Sequence, residues 1–407
     1  MNITVWGINY APELTGIAPY NRAMCEYFQK TGHEVRMLTT FPYYPAWKKS
    51  AADRGKLFRT DVINGVKVHR CWHYVPQRVT TMKRIVHEAS FIMTTFLRQL
   101  TLPRPDIYVV VSPPLLLGLA MRVLQIFRSR PYVYHVQDLQ PDAAVGLGML
   151  KPSAFTRLLY RLEAVAYRHA KAVSGISQGM LDAFTCKGVP ATKQVYFPNG
   201  ATLSHQDQLP PRGKFRACHG FTNDEFLAIY SGNLGVKQGL DILVEAAKQL
   251  NGTPVRIVIC GDGAIRPKLE ATIEAEKLQN ITLLPLQPDK EYQEMLADAD
   301  VCLVTQQAGS GAAFFPSKLL AVLALARPVV GVADDTSELR RAIAQGGFGK
   351  CVQPDDAKNL SQVLRFLAEN RAELFQYGIN GRKYVEQFDF DTVLRRFTAD
   401  LEKLLKK

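Results

Sequence analysis

Short apolar runs of four to six residues alternate along the chain with longer segments whose apolar residues recur at helical spacing. Ile3-Thr-Val-Trp-Gly7 reads as an opening strand, 8–15 as a loop, and about 16–30 as a helix ending near Gly32. Further strands are predicted at 35–38, 66–70, 107–111, 132–136 and 172–175. Helices are predicted between them around 82–100, 115–128, 153–169 and 178–186. Strands that alternate with helices in this way imply mostly parallel sheets covered on both faces. The pattern breaks at Phe197-Pro-Asn-Gly200, stays polar through 201–216, and then restarts. Strands follow at 227–231, 255–260, 281–284, 301–305 and 329–331, again separated by helices. The fold class is therefore α/β, with two Rossmann-like doubly wound lobes at 1–200 and 201–385 and a terminal helix within 386–407. In that helix Leu394, Phe397, Leu401 and Leu404 fall on one face. Such sheets bind ligands at the C-terminal ends of their strands, and two in tandem leave a cleft for one.

Charge changes the picture because it is uneven. Residues 1–200 hold 25 Lys+Arg against 11 Asp+Glu, whereas the remaining residues hold 25 against 26. A basic N-terminal lobe suits an anionic lipid surface. No zinc-finger spacing, aromatic RNP signature or helix-turn-helix pattern supports nucleic acid. The seven cysteines are scattered and odd in number, which suits a reducing cytosol. The first residues lack the basic and apolar regions of a signal peptide, so none is expected. The most apolar stretch, 107–127, is broken by Pro113, Pro114 and Arg122 and reads as a buried strand plus a packed helix. A cytoplasmic protein, peripheral on the inner face of the membrane, is expected.

Phosphate sites in doubly wound sheets need free backbone N–H groups, which favours glycine at strand-to-helix turns. Three turns qualify: Glu13-Leu-Thr-Gly-Ile-Ala18 with Gly16, Ser231-Gly-Asn-Leu-Gly235 with Gly232 and Asn233, and Gly261-Asp262-Gly263. Lys237 lies just beyond the second. Pro316-Ser317 starts a helix whose next residue is Lys318, a cation where the helix dipole disfavours one, so a bound anion would remove the conflict. His135 and Asp138, at the end of a strand, are candidates to orient an acceptor hydroxyl or the transferred sugar. The aromatic loop Phe41-Pro-Tyr-Tyr-Pro-Ala-Trp47 offers rings to a sugar or a lipid. Asp298, Asp300, Asp389 and Asp391 form two Asp-x-Asp pairs that read as structural, and no metal site is expected. The chain has no G-x-x-x-x-G-K-[ST] loop, H-E-x-x-H helix or G-x-S-x-G elbow.

The ordered set Asn9-Tyr-Ala-Pro-Glu13, Phe41-Pro-Tyr-Tyr-Pro45, Gln137-Asp-Leu-Gln-Pro-Asp142, Phe197-Pro-Asn-Gly200, Ser231-Gly-Asn-Leu-Gly235, Gly261-Asp-Gly263 and Pro316-Ser-Lys318 resembles family-4 retaining glycosyltransferases of the GT-B fold. The resemblance spans nearly the whole chain and is strongest to the colanic-acid fucosyltransferase and N-acetylfucosamine transferase branch. It implies an interlobe cleft, a last helix that crosses back onto the N-terminal lobe, and metal-independent transfer from a UDP- or GDP-sugar without a cofactor. By that resemblance Gly16 approaches the diphosphate, Lys237 and Lys318 neutralise it, and Gly261–Gly263 with Leu286 and Gln287 line the nucleotide. The implied acceptor is a polyprenyl-diphosphate-linked sugar or an oligosaccharide. It is reached by docking the basic-then-apolar segment around Lys83 and Arg84 on lipid. Three departures stand out. Ala313 and Ala321 occupy positions where many relatives carry glutamates. Asn233 and Gln238 replace the usual Arg and Lys, and Gln137 replaces a frequent strand-end His. A nucleotide-sugar 2-epimerase of the same fold and a non-catalytic nucleotide-binding paralogue remain open alternatives.

Overall fold

The computed structural model describes residues 1–78, 80–146, 151, 153–201, 203, 210–309 and 318–406. It divides into two compact units, one of Met1–Asn199 with Phe390–Lys407 and the other of Gly200–Asp389.

The first unit is built on β1 (Asn2–Trp6), β2 (Glu34–Thr40), β3 (Phe58–Ile63), β4 (Val66–Cys71), β5 (Ile107–Ser112), β6 (Tyr132–Val136), β7 (Ala172–Gly175) and β8 (Gln194–Tyr196). Their order in the sheet is β3-β4-β2-β1-β5-β6-β7-β8. Strand side chains alternate between faces, and each face has its own core. Tyr108 and Val110 of β5 join Trp6, Met121 and Tyr134 on one side. Ile107, Val109 and Val111 join Val5, Phe28 and Val35 on the other. The stretch 107–127 is a buried strand followed by the helix Leu117–Phe127, as its prolines required. Among the described residues no helix is long and apolar enough to cross a membrane.

Strand β3 escapes the apolar-run reading because its side chains alternate between half-buried and exposed. It pairs antiparallel with β4 through the turn Asn64-Gly65. Both turn residues have positive φ, 49° and 84°, the backbone that a two-residue hairpin demands and that Asn-Gly supplies.

The second unit carries β9 (Phe226–Ser231), β10 (Val255–Cys260), β11 (Ile281–Leu284), β12 (Val301–Thr305), β13 (Val329–Val332) and β14 (Gly349–Val352). They lie in the order β11-β10-β9-β12-β13-β14, with every pairing parallel. Chain progression reverses between β1 and β5 in the first sheet and between β9 and β12 in the second. These switch points open a crevice at the C-terminal strand ends.

The last helix, Phe390–Lys406, belongs to the first unit. Val393, Leu394, Phe397 and Leu401 are buried in the same core as Phe28 and Val109. The Phe397 ring lies on that of Phe197 at 3.9 Å between centroids and 2° between planes. Replacing Phe397 with Ala removes this stack and leaves a cavity, and should destabilise the first unit by about 3–5 kcal/mol. Urea unfolding followed by tryptophan fluorescence checks this, because Trp6, Trp47 and Trp72 all lie in that unit.

Candidate active site

In the first unit, the loop after β1 is fixed by side chains from several elements. Thr39 and Thr40 hydroxyls donate to the Ile8 carbonyl at 2.9 and 2.7 Å. Arg70, 2% exposed, donates to the Ala11 carbonyl at 2.5 Å and is itself held by Asp61. Buried Glu13 accepts from Asn9 Nδ2 at 2.8 Å and from the backbone N–H groups of Tyr43 and Tyr44 at 2.9 and 2.8 Å. One carboxylate thus ties this loop to the aromatic loop. Gly16 sits beyond the tie, exposed and at φ 66°, where a side chain would be strained and would lie 3.5 Å from the Tyr44 ring.

The aromatic loop presents less than its sequence suggests. Phe41 and Tyr43 are buried, and Tyr43 packs against Trp47, His73 and His87 at 4.7–5.4 Å between centroids. Tyr44, 37% exposed, keeps a ring edge in solvent.

At the end of β6, His135 sits inside the fold. The ring is 1% exposed and packs on Phe197 at 4.8 Å. Its Nδ1 pairs with Ser174 Oγ at 2.9 Å and its Nε2 accepts from Gln137 Nε2 at 2.8 Å. Burial lowers its pKa to about 3. The neutral imidazole, with its ring proton on Nδ1 toward Ser174, positions Gln137 through Nε2. Gln137 in turn exchanges two 3.0 Å amide hydrogen bonds with Asn199. Asp138 follows, half-buried. The Gln137–Asn199 pair was not foreseen, because its members stand 62 residues apart.

In the second unit, the loops after β9 and β10 close on each other backbone to backbone. Gly232 N–H donates to the Cys260 carbonyl at 2.9 Å, Leu234 N–H to that of Asp262 at 2.8 Å, and Ile265 N–H to that of Leu234 at 3.0 Å. A Cβ on Gly261 would lie 1.9 Å from the Gly232 oxygen, and one on Gly263 2.5 Å from the Leu234 oxygen. The glycines are there because nothing larger fits. Asn233, itself exposed, reaches across Gly235 and Gly263. Asp262 is exposed and accepts from the Gly263 N–H at 2.8 Å. Arg266, not singled out from sequence, straps the loop by donating to the Gly261 and Leu284 carbonyls at 2.6 and 3.0 Å. Leu286 is 63% exposed, and Gln287 folds back on the Pro285 carbonyl at 2.9 Å.

Lys318 brings charge to these loops. Its ammonium lies 3.7 Å above the Tyr230 ring centroid and 3.7 Å from where a Gly232 Cβ would sit. Tyr230, a second contact that the sequence did not reveal, is held by its hydroxyl on the Asn233 carbonyl at 2.8 Å. Burial lowers the Lys318 pKa to about 7, and no described carboxylate pairs with it. Lys237 is exposed on the turn Val236–Gln238, whose carbonyl accepts from Gln307 N–H at 2.9 Å. Ser317 and Ala313 lie outside the described residues, and Ala321 is half-buried in the helix Lys318–Ala324.

The first of the two Asp-x-Asp pairs is engaged by the fold itself. Asp298 accepts the backbone N–H groups of Gly213 and Arg216, and Asp300 pairs with Arg212 and Arg216. Among the described residues no three His, Cys, Asp or Glu side chains are grouped as metal ligands.

Two doubly wound sheets, the second with glycine-lined loops and Lys318 at its switch point, are the architecture of the GT-B fold. Solved structures share this architecture. Sucrose-phosphate synthase from Thermosynechococcus elongatus superposes with a TM-score of 0.76 at 17% identity, covering 100% of this chain and 99% of that one. HepE from Anabaena, solved in complex with UDP-glucose, gives 0.70 at 16% identity, covering 99% and 100%. The glycosyl transferase 4-like domain family matches residues 15–200, and the glycosyl transferases group 1 family matches 211–384. The chain is 32% identical over 410 residues to WcaI of Escherichia coli K12, named as a colanic acid biosynthesis glycosyl transferase, covering 98% of this chain and 100% of that one. WbjE of Pseudomonas aeruginosa, named as a glycosyltransferase, is 24% identical over 75% of this chain and 76% of its own. The chain belongs to the group 1, 4-like glycosyltransferase family.

Gly261→Ala should push the two C-terminal loops apart. Overpacking of this kind costs about 1–3 kcal/mol, and urea unfolding of the variant should show at least that loss.

Proposed function

We propose that the chain is a retaining, metal-independent glycosyltransferase of surface-polysaccharide synthesis. It moves a sugar from a UDP- or GDP-sugar to a lipid-linked or oligosaccharide acceptor. The observation that carries this reading is Lys318, a cation with no described counter-charge, partly desolvated beside Gly232 at the β9/β12 switch point. A diphosphate placed there supplies the missing negative charge. The UDP-glucose complex of HepE and the name of WcaI support the donor class and the pathway.

In the proposed reaction the acceptor hydroxyl oxygen bonds to the anomeric carbon on the face the leaving group departs from. The bond from that carbon to the diphosphate oxygen breaks, and the hydroxyl proton passes to the departing phosphate. Charge accumulates on the nucleoside diphosphate. Lys318, Lys237 and backbone N–H groups of the Gly232 loop stabilise it, and Asn233, Asp262, Gly263, Leu286, Gln287 and Ser317 hold the nucleotide. Removing one pre-oriented donor typically costs about 10²–10³ in rate. At the end of β6, Asp138 orients a sugar hydroxyl, with His135 behind it holding Gln137.

Binding of UDP or GDP, measured by calorimetry between pH 6 and 9 with and without EDTA, tests the donor site. An anion favours protonated Lys318, so affinity should fall as pH rises past 7, by up to about tenfold per unit. Lys318→Gln should bind weakly and without that pH dependence, and EDTA should change neither. A flat wild-type profile would remove Lys318 from the site.

The acceptor side is proposed to work on anionic lipid. The helix Thr81–Thr101 exposes Met82, Ile85, Val86, Met93 and Leu97 beside Lys83 and Arg84. The helix Leu117–Phe127 adds Ile126 and Phe127, 70% and 60% exposed, and the Phe96 and Phe127 rings meet at 6.5 Å. A juxtamembrane Lys or Arg contributes about 1 kcal/mol on anionic lipid. Replacing both Lys83 and Arg84 with Gln should therefore weaken co-sedimentation with phosphatidylserine vesicles by roughly 10–30-fold. Unchanged binding would rule this surface out.

A further inference from the structure

The second unit contains a cavity of about 330 Å³ far from the glycine loops. It is lined by Arg212, Asp300, Arg327, Arg371, Phe375 and Ile379, among others. Ala299 and Asp300 lead into β12, and Pro328 leads into β13, so the cavity lies at the N-terminal edge of the sheet. The loops bearing Gly232, Gly261 and Gly263 leave the opposite edge. The five residues of β12 alone put about 16 Å between the two.

Its chemistry is unbalanced. Arg212 donates through Nη2 to Asp300 Oδ1 at 2.9 Å and to the Asp298 carbonyl at 3.3 Å. Arg327 donates through Nε to the Leu325 carbonyl at 3.0 Å and through Nη1 to that of Ala297 at 3.1 Å. Arg371 donates through Nη2 to the Asp224 carbonyl at 2.9 Å. A guanidinium offers five N–H donors, so each of the three retains unspent ones. The lining carboxylate, Asp300, is already shared with Arg216 at 2.7 Å and with the Leu227 N–H at 2.8 Å. Burial holds Arg327 below its usual range, and repulsion from Arg212 adds to the effect.

The opposite wall is apolar. Phe375 is 76% exposed and Ile379 46%, on the helix Arg371–Val385. That helix comes close because Gly378 meets the Ala326 carbonyl, where a Cβ would stand 2.5 Å from the oxygen. Three arginines against one committed carboxylate match the several oxygens of a phosphate better than a lone carboxylate. The volume lies at the small end of the range for small-molecule pockets.

We propose that this cavity is a second ligand site that takes a small organic phosphate, with the phosphate group on Arg212, Arg327 and Arg371 and the organic body on Phe375 and Ile379. The site is independent of the donor site, so it stands whichever nucleotide the glycine loops take.

Calorimetric titration of the full chain with glucose 6-phosphate, AMP and inorganic phosphate tests it. The variants are Arg371→Gln, Arg212→Gln, Phe375→Ser and, as a donor-site control, Lys318→Gln. Thermal melts without ligand verify that each variant is folded. Wild type should bind one of the two organic phosphates more tightly than inorganic phosphate. Either arginine variant should lose about tenfold in affinity or more. Phe375→Ser should weaken the organic phosphate and leave inorganic phosphate unchanged, and Lys318→Gln should bind like wild type. The proposal is overturned if none of the three probes binds wild type. It is equally overturned if binding is lost in Lys318→Gln but kept in the arginine variants, which would place the ligand at the donor loops.

Discussion

Parallel strands impose a direction. Each connection must return across a face of the sheet, so in both units the carboxyl ends of the parallel strands gather at one edge and the amino ends at the other. That asymmetry explains most of what the chain displays. The core clusters cover both faces of each sheet, which leaves the edges as the places where loops are free to carry chemistry. The reversal of chain progression between β9 and β12 then selects one point on one edge. There the chain places a very close backbone contact, Gly261 against Gly232, and beside it Lys318.

Within that frame two kinds of group handle charge differently. Asp298 and Asp300 are satisfied by backbone N–H groups and arginines, and they anchor the helix Lys214–His219 to the sheet. Lys318 has a ring beneath it and, among the described residues, no carboxylate paired with it. A buried charge is normally paired or neutralised, and the drop of its pKa to about 7 shows the second route in progress. The contrast separates residues that hold the fold from one that, on the proposed reading, meets a ligand.

Alternation of apolar runs with helical periods made both sheets legible, and the break after Phe197 marked where one alternation ends and another begins. What escaped were elements without an apolar run. Strand β3 was hidden by its alternation, although Asn64-Gly65 announces the hairpin. Strand β8, only three residues long, has no buried position. The glycine turns were legible because close backbone approach permits only glycine. The role of His135 was not. It depends on Ser174 and Gln137 and on the ring of Phe197, and nothing local in Tyr132–Val136 records that both nitrogens are already taken. Tyr230 beneath Lys318 is likewise a contact between distant segments, invisible to any reading by spacing.

The helix Phe390–Lys406 has a consequence for how the molecule is made. The first unit is interrupted after Asn199 and resumes only at Phe390, so its core lacks Val393, Leu394, Phe397 and Leu401 until the whole second unit has been made. Domains tend to fold in the order in which the ribosome delivers them. Here the unit begun first is finished last. The inserted second unit can reach its native state during synthesis, while the first must wait for the closing residues with part of its apolar surface bare. A nascent chain stalled or clipped before residue 390 would therefore yield one folded body and one sticky one, which makes the extreme carboxyl terminus a quality checkpoint for the amino-terminal half.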